Sequence, residues 1–366
     1  MNGIYVHVPF CIKKCGYCDF ASYPGELSKQ GEYVNAVLTE AQSYCGAKAN
    51  TVYIGGGTPT CLDGECLEKL LRGVMRTFDI AENAEVTVEA NPKTVDVHKA
   101  RLLKKCGVNR ISLGAQSFND SELRTLGRIH TAADTAETFE LLRSEGFGNI
   151  SLDLMYALPG QTAESLSTSL CQVLKLNPEH VSCYGLKIED GTPFSALAER
   201  GELEAVDDDT FADMYDTAVK ILSDGGYERY EISNFSKPGF ESRHNMKYWK
   251  CDDYIGLGAA AASCIGRRRF THTRSLDSYM NGFELSEDIT ADYAEAMSEF
   301  VILGLRMTKY GVDKAEFKRR FGAEVDEVFG ERIEKLSQFL ENGKKRLKLR
   351  SDACLVSNGI MCEFMN

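Results

Sequence analysis

Along the first half of the chain, short runs of β-branched and aromatic residues alternate with longer stretches whose apolar positions recur every three to four residues. The short runs suit buried strands and the longer ones amphipathic helices. Their alternation predicts parallel strands joined by crossover helices. Six strands are expected: IYVHV (4–8), TVYI (51–54), EVTVEA (85–90), RISLGA (110–115), ISLDLMY (150–156) and HVSCYGL (180–186). Helical patterns such as 32–44 and 131–145 fall between them. Each strand runs into polar or Gly/Pro-rich sequence: PFC, GGGTPT, NP, QSFND, ALPG and KIEDGTPF. In a parallel α/β barrel the loops after the strands build the active site, so these six segments should converge in space.

Beyond about residue 190 the pattern changes. An acidic helix is expected near 207–224, then the irregular stretch YERYEISNFSKPGFESRHNMKYW and the small-residue segment YIGLGAAAAS. From 291 to 350 several amphipathic helices end in the alternating run RLKLR, which suggests a compact helical or winged-helix-like unit. The expected organisation is therefore a barrel over 1–190, a barrel-completing and linking region over 191–290, and a small mainly helical C-terminal domain over 291–366.

Composition narrows the function classes. With 366 residues, 43% of them apolar, the chain can bury a large core. A formal charge of −12 argues against a nucleic-acid partner, because phosphate binding draws on clustered Lys and Arg. The one local basic run, Lys344 to Arg350, reads as a solvated edge. The N-terminus lacks a signal pattern, and the longest apolar run, Ile255 to Gly266, falls short of the roughly 20 residues that span a bilayer. A cytoplasmic protein that does not span the membrane is expected. Its 13 cysteines then read as reduced thiols, some for metal and most for packing.

Candidate chemistry gathers in the predicted loops. Cys11, Cys15 and Cys18 follow the first strand as Cys-x3-Cys-x2-Cys, with Phe20 in place of a fourth thiolate and no further cysteine before Cys45. Clusters that only carry electrons usually have four cysteines. Three leave one iron open, and that iron can be chelated by the amino and carboxylate groups of S-adenosylmethionine. A zinc site using His7 is the main alternative. IGGGTPT is no phosphate loop, since no Lys-Ser/Thr follows; its glycines allow close backbone approach to a ligand, or serve only the turn. Glu89, Gln116, Arg128 and Asp153 fall at or just beyond strand ends and together suggest a polar cofactor site. RHNMKYW holds the only tryptophan, Trp249, with His244, Tyr248 and Arg243. It could supply an iron ligand, flat apolar surface and a propionate partner to haem, or His244 could be a hydrogen-bonded structural residue.

YVHVPFCIKKCGYCDF, IGGGTPT, ANP, LGAQSFND, LGRIH, LDLMYALPGQT, GLKIEDGTPF, YEISNF and RHNMKYW, in this order, resemble the radical S-adenosylmethionine superfamily. The resemblance is to its branch related to oxygen-independent coproporphyrinogen III oxidase, closely over residues 3 to 280 and more loosely beyond. It implies an α/β fold, a partial (β/α)6 TIM-type barrel with the small C-terminal domain, carrying a [4Fe–4S] cluster on Cys11, Cys15 and Cys18 with S-adenosylmethionine on the open iron. By resemblance Tyr5, Tyr17, Gly56, Gly57, Thr58, Glu89, Gln116, Arg128, Asp153, Gly185 and Ala262 match positions that contact S-adenosylmethionine. Many relatives have His where Ala262 stands, so any role for that imidazole fails here. The segment LKLRSDACLVSN also looks degenerate.

Two functions occur within this branch: oxidative decarboxylation of two propionates of coproporphyrinogen III, and haem carriage by a chaperone that passes haem to an acceptor. The oxidase has a further Cys two residues after the third cluster Cys and a longer N-terminal extension. This chain has Phe20 there and begins ten residues before Cys11. His244, Asn245, Tyr248 and Trp249 match the HNxxYW element of the chaperone group, which implies haem contact. The resemblance thus favours a haem chaperone whose acceptor is a haem-requiring respiratory enzyme at the membrane, with the oxidase as the alternative.

Overall fold

The computed structural model describes residues 1–365. Six parallel strands follow one another across the sheet: β1 (Asn2–Val8), β2 (Lys48–Gly56), β3 (Asp79–Ala90), β4 (Arg110–Gln116), β5 (Ile150–Tyr156) and β6 (His180–Gly185). All six expected runs are strands, the second and third longer than their apolar runs because their first turns are polar and still paired. Helices Gly64–Thr77, Val97–Lys105, Ala132–Ser144 and Ala163–Leu176 cross between them. Their N-termini are capped by Asp63, Asp96, Thr131 and Thr162, whose side chains accept otherwise unpaired amide hydrogens. The apolar stripe of Gly64–Thr77 (Leu67, Leu70, Leu71, Val74) is buried, and it faces a sheet whose strands contribute Val52, Val86 and Ile111 to the same core.

A seventh parallel strand, β7 (Tyr254–Leu257), lies on the far side of β1, so the cysteine-bearing strand is interior to the sheet. The sequence reading gave YIGL no strand, since four residues followed by a run of small ones carry no clear period. From β7 the sheet continues antiparallel through Ala262–Ile265, Arg268–His272 and Leu285–Thr290. On the other side of the sheet, Asn234–Ser236 and Glu228–Arg229 run antiparallel to β6 and to each other. The twelve strands do not close, so the barrel is partial.

The C-terminal unit has its own core around Phe300, Phe317, Phe329, Leu347 and Phe364. Helices Tyr293–Arg306, Lys314–Phe321 and Val325–Lys335 pack with a three-stranded sheet that includes Arg346–Leu349, the expected alternating run. Leu347 and Leu349 point inward while Lys344 and Lys345 are exposed, so the basic run is half core and half surface.

The stretch expected to be irregular contains a helix, Arg243–Trp249, capped by Ser242. This helix closes the barrel at the N-terminal ends of the strands, opposite the cysteine loop. Glu85 of β3 accepts the amide hydrogens of Arg243 (3.0 Å) and His244 (2.9 Å). A carboxylate at a helix N-terminus meets the unpaired amides and the positive end of the dipole. His244 is fully buried. Its Nδ1 bonds Thr51 Oγ1 of β2 at 2.8 Å, and its Nε2 bonds the Tyr248 hydroxyl at 2.8 Å. Lys247 donates to the Met1 carbonyl at 2.9 Å, tying the helix to the start of β1.

This arrangement corrects the expectation that His244 offers an iron ligand. Both ring nitrogens are engaged, and burial lowers the imidazole pKa to about 3, keeping it neutral. The period of the segment was hidden because a seven-residue helix has two turns and most of its faces are covered. His244→Ala removes two buried hydrogen bonds and leaves a void beside Gly3, Thr51 and Tyr53, costing about 2–4 kcal/mol. The expected outcome is a melting temperature lowered by several degrees in thermal denaturation followed by circular dichroism, with the haem Soret maximum of the folded protein unchanged.

Candidate functional site

A cavity of about 310 Å³ opens at the C-terminal ends of the strands. Cys11, Cys15 and Cys18 line its mouth, and all three are free and partly exposed. The loop that carries them is held by main-chain bonds on both flanks. Gly16 donates to the Leu126 carbonyl (3.1 Å), Phe194 donates to the Gly16 carbonyl (2.9 Å) and Tyr23 donates to the Pro9 carbonyl (2.8 Å). Tyr17 packs against Phe194 beside the apolar group of Leu126, Met155 and Leu158.

Among the described residues, no three His, Cys, Asp or Glu side chains gather closely enough to hold a single metal ion. His7, the candidate fourth ligand for zinc, is buried with its Nδ1 on the Tyr5 hydroxyl and its Nε2 on the Ala21 carbonyl. Thiols spaced apart around one cavity fit a multi-iron cluster, in which each thiolate binds a different iron. Burial pushes the Cys11 and Cys18 thiols up, a cost that bonding to a cationic cluster offsets.

The glycine loop braces the cysteine loop. Gly57 donates its amide hydrogen to the Val8 carbonyl (2.9 Å) and Thr58 donates to the Phe10 carbonyl (2.7 Å). A side chain at Gly57 would sit 2.6 Å from the Phe10 oxygen, and Gly56 has φ +112°, so neither position tolerates a substituent. The amides of Gly56, Gly57 and Thr58 are thus engaged within the protein, that of Gly56 with Glu89 Oε2 at 3.0 Å.

Below the rim the candidate polar residues converge. Tyr17, Gly56, Gly57, Thr58, Glu89, Gln116, Arg128 and Asp153 all line the cavity with the cysteines. Arg128 donates to the Gly114 carbonyl (2.9 Å), to Asn91 and to Cys15 Sγ (3.5 Å), placing its charge beside the thiols. Gln116 has left-handed φ 65° at an irregularity in β4, and Tyr184 donates to its Oε1 at 3.0 Å. A residue held in that region at a strand end is positioned by its surroundings at a cost in strain. Asp153 accepts from Ser112 and Ser151, and burial raises its pKa.

Three resemblance-based positions do not line the cavity. Tyr5 is half-buried between Tyr53 and His244, Gly185 leaves room for the Phe211 ring, and Ala262 is exposed on the antiparallel extension. The haem candidates also divide. Asn245 reaches the cavity floor, whereas Trp249 faces a separate pocket against the C-terminal unit, where Arg306 stacks on its ring at 4.4 Å. Tyr53, Asn91, Arg110, Ser112, Tyr184 and Asn234 were missed by the sequence reading. The inward alternation of β2 to β6 could have flagged Tyr53, Arg110, Ser112 and Tyr184, while Asn234 depends on the antiparallel edge.

Glu89 is the most perturbed acid facing the cavity. Tyr53 donates to its Oε1 at 2.7 Å, yet burial dominates and raises its pKa to about 7, with the nearby Asp153 charge adding to the shift. The folded state therefore holds a proton that the unfolded state releases, so this group's contribution to stability falls as pH rises from about 4.5 to 7. Glu89→Gln keeps an acceptor and removes the charge. In the protein without bound nucleotide it should raise the melting temperature at pH 8 and leave it nearly unchanged at pH 5, as checked by thermal denaturation at both pH values.

Comparison with known proteins places this geometry. Residues 5–170 match the model of the radical SAM superfamily, and residues 292–352 match that of the HemN C-terminal domain. A protein of Lactococcus lactis subsp. lactis described as "Heme chaperone HemW" is 36% identical over 100% of this chain and 97% of its own length. The protein of that description from Bacillus subtilis is also 36% identical, covering 100% and 99%. The solved structure of coproporphyrinogen III oxidase (HemN) from Escherichia coli superposes with a TM-score of 0.86 over 100% of this chain and 90% of that one, at 22% identity. Its likeness confirms the fold. With curated relatives matched over their full length and the radical SAM model over its barrel, the chain belongs to the HemW family of the radical SAM superfamily.

Proposed function

We propose that this chain is a haem chaperone that binds haem and passes it to an acceptor protein, and that it carries a [4Fe–4S] cluster on Cys11, Cys15 and Cys18 with S-adenosylmethionine on the open iron. The observation that carries this reading is the full-length match to proteins described as haem chaperones, at 36% identity against 22% for the oxidase. Phe20, two residues after Cys18 and exposed at the cavity mouth, supports it, because the oxidase has a further thiol there.

The cluster, when bound, would supply an open iron that the amino and carboxylate groups of the nucleotide can chelate, and one electron for the sulfonium beside it. The chain's own residues prepare the surroundings. Arg128 beside Cys15 offsets thiolate charge, while Glu89 and Asp153 offer negative charge to a cationic nucleotide. The acceptor we propose is a haem-requiring respiratory enzyme at the membrane. The thirteen free cysteines support a reducing, cytoplasmic location. Haem contact through His244 is not part of this proposal. Within the HNxxYW element Trp249 keeps a partly exposed ring, in a pocket of about 330 Å³ with Phe300, Met307, Tyr310 and Arg346.

Retention of eight resemblance-based nucleotide positions in one cavity is the observation that keeps coproporphyrinogen III decarboxylation as a second reading. Cluster-loaded protein with reductant, S-adenosylmethionine and coproporphyrinogen III should give no protoporphyrinogen IX above a protein-free control, while haem titration gives a saturable Soret band. Repeated turnover to the vinyl product establishes the oxidase instead. Cys15→Ser should lose stable [4Fe–4S] assembly, measured as iron and sulfide after anaerobic reconstitution. Cys45→Ser and Cys61→Ser should retain it.

A further inference from the structure

The three thiols share one loop, and its two legs are fastened differently. The incoming leg is braced by Thr58 on the Phe10 carbonyl and by Gly16 on the Leu126 carbonyl. The outgoing leg, Asp19 to Tyr23, pairs with the end of β1 through the Tyr23 amide on the Pro9 carbonyl (2.8 Å) and through His7 Nε2 on the Ala21 carbonyl (2.7 Å). It also meets Arg274, 255 residues further along the chain than Asp19. The Arg274 guanidinium donates to the Asp19 carbonyl and, at 3.4 Å, to Asp19 Oδ1, while the Arg274 carbonyl accepts from the Tyr23 hydroxyl at 2.5 Å. Asp19 directly follows Cys18.

The backbone around Arg274 is itself anchored. His272 donates its amide hydrogen to the Ala261 carbonyl (3.0 Å), Thr273 donates to the Glu284 carbonyl (2.9 Å), and Ser275 caps the helix Leu276–Gly282. The His272 ring is buried, with Nδ1 on the Phe283 carbonyl (3.2 Å) and Nε2 lying 2.6 Å from Glu40 Oε1. An exposed ion pair by itself contributes little, and the Arg274 and Asp19 side chains are both more than half exposed. The contacts that matter here involve main-chain carbonyls and the Tyr23 hydroxyl, so they fix the backbone path whatever the Asp19 carboxylate does. We infer that Arg274 is a positioning residue for the cysteine loop, holding the backbone after Cys18 so that the third thiol stays at the cavity mouth before a cluster is present. This inference rests on the reading that Cys11, Cys15 and Cys18 hold the cluster.

Arg274→Ala removes the bonds to Asp19, and Tyr23→Phe removes the bond to the Arg274 carbonyl. The metal-free proteins are alkylated with iodoacetamide under native conditions, and each cysteine is followed by mass spectrometry. Cys18 should be labelled about fivefold faster in R274A, the factor that one lost hydrogen bond allows, while the exposed Cys171 keeps its wild-type rate. Loss of a nearby cation by itself slows a thiol's attack, so acceleration reports the position of the loop. After anaerobic reconstitution R274A should also lose iron to a chelator several times faster than the wild type. Where R274A melts several degrees lower than the wild type, Y23F, which keeps the guanidinium and the aromatic ring, decides by the same labelling. Cys18 labelled at the wild-type rate, or Cys18 and Cys171 accelerated alike, overturns the role. A wild type that assembles no cluster overturns the cluster reading instead, and the labelling of metal-free protein does not depend on that result.

Discussion

The cavity mouth depends on a two-bond seam between backbones. Gly57 and Thr58, at the end of β2, donate to the carbonyls of Val8 and Phe10, at the end of β1 and the start of the cysteine loop. Each bond is worth about 1 kcal/mol by itself. Their geometric effect is larger, because the approach they enforce leaves no space for a Cβ at Gly57 and places Cys11 Sγ 3.5 Å from Thr58 Oγ1. The glycine run serves the cluster loop as much as any ligand. Its sequence signature is the same for both purposes, which is why sequence alone left the choice open.

The same logic of occupied groups runs through the barrel. At the rim, polar side chains are held by neighbours yet keep faces toward the cavity, as Arg128 does through Gly114 and Asn91. At the opposite end the start of the Arg243–Trp249 helix is tied into the barrel: Glu85 accepts two amide hydrogens, Thr51 and Tyr248 engage the two nitrogens of the His244 ring, and the Met1 carbonyl accepts from Lys247. One end is therefore built to receive molecules and the other to close the barrel. A motif read as haem chemistry because of its residue types belongs, for three of its members, to the closed end or its floor.

Trp249 is the exception, and it links the two cores. Its ring meets Arg306 of the C-terminal unit, and the buried cluster of Tyr230, Met246 and Met307 lies beside it.

The sequence by itself determined the six parallel strands, because their β-branched runs are buried on both faces and bounded by turn residues. It also determined the cysteine triplet and the meeting of Glu89 and Gln116, which stand at the C-terminal ends of β3 and β4, whereas Arg128, beyond the helix Asp120–Thr125, and Asp153, in the middle of β5, reach the cavity only through the tertiary fold. Only the tertiary structure decided the seventh strand, the helical nature of RHNMKYW and the fate of His244. Those depend on pairing between segments some 200 residues apart, such as His244 with Thr51 and Tyr254 with Gly3. The same holds for Tyr5, Gly185 and Ala262, whose residue types are equally at home beside a ligand, under a ring or on an exposed edge. Side-chain identity announces what a group can do, and packing decides whether its atoms are free to do it.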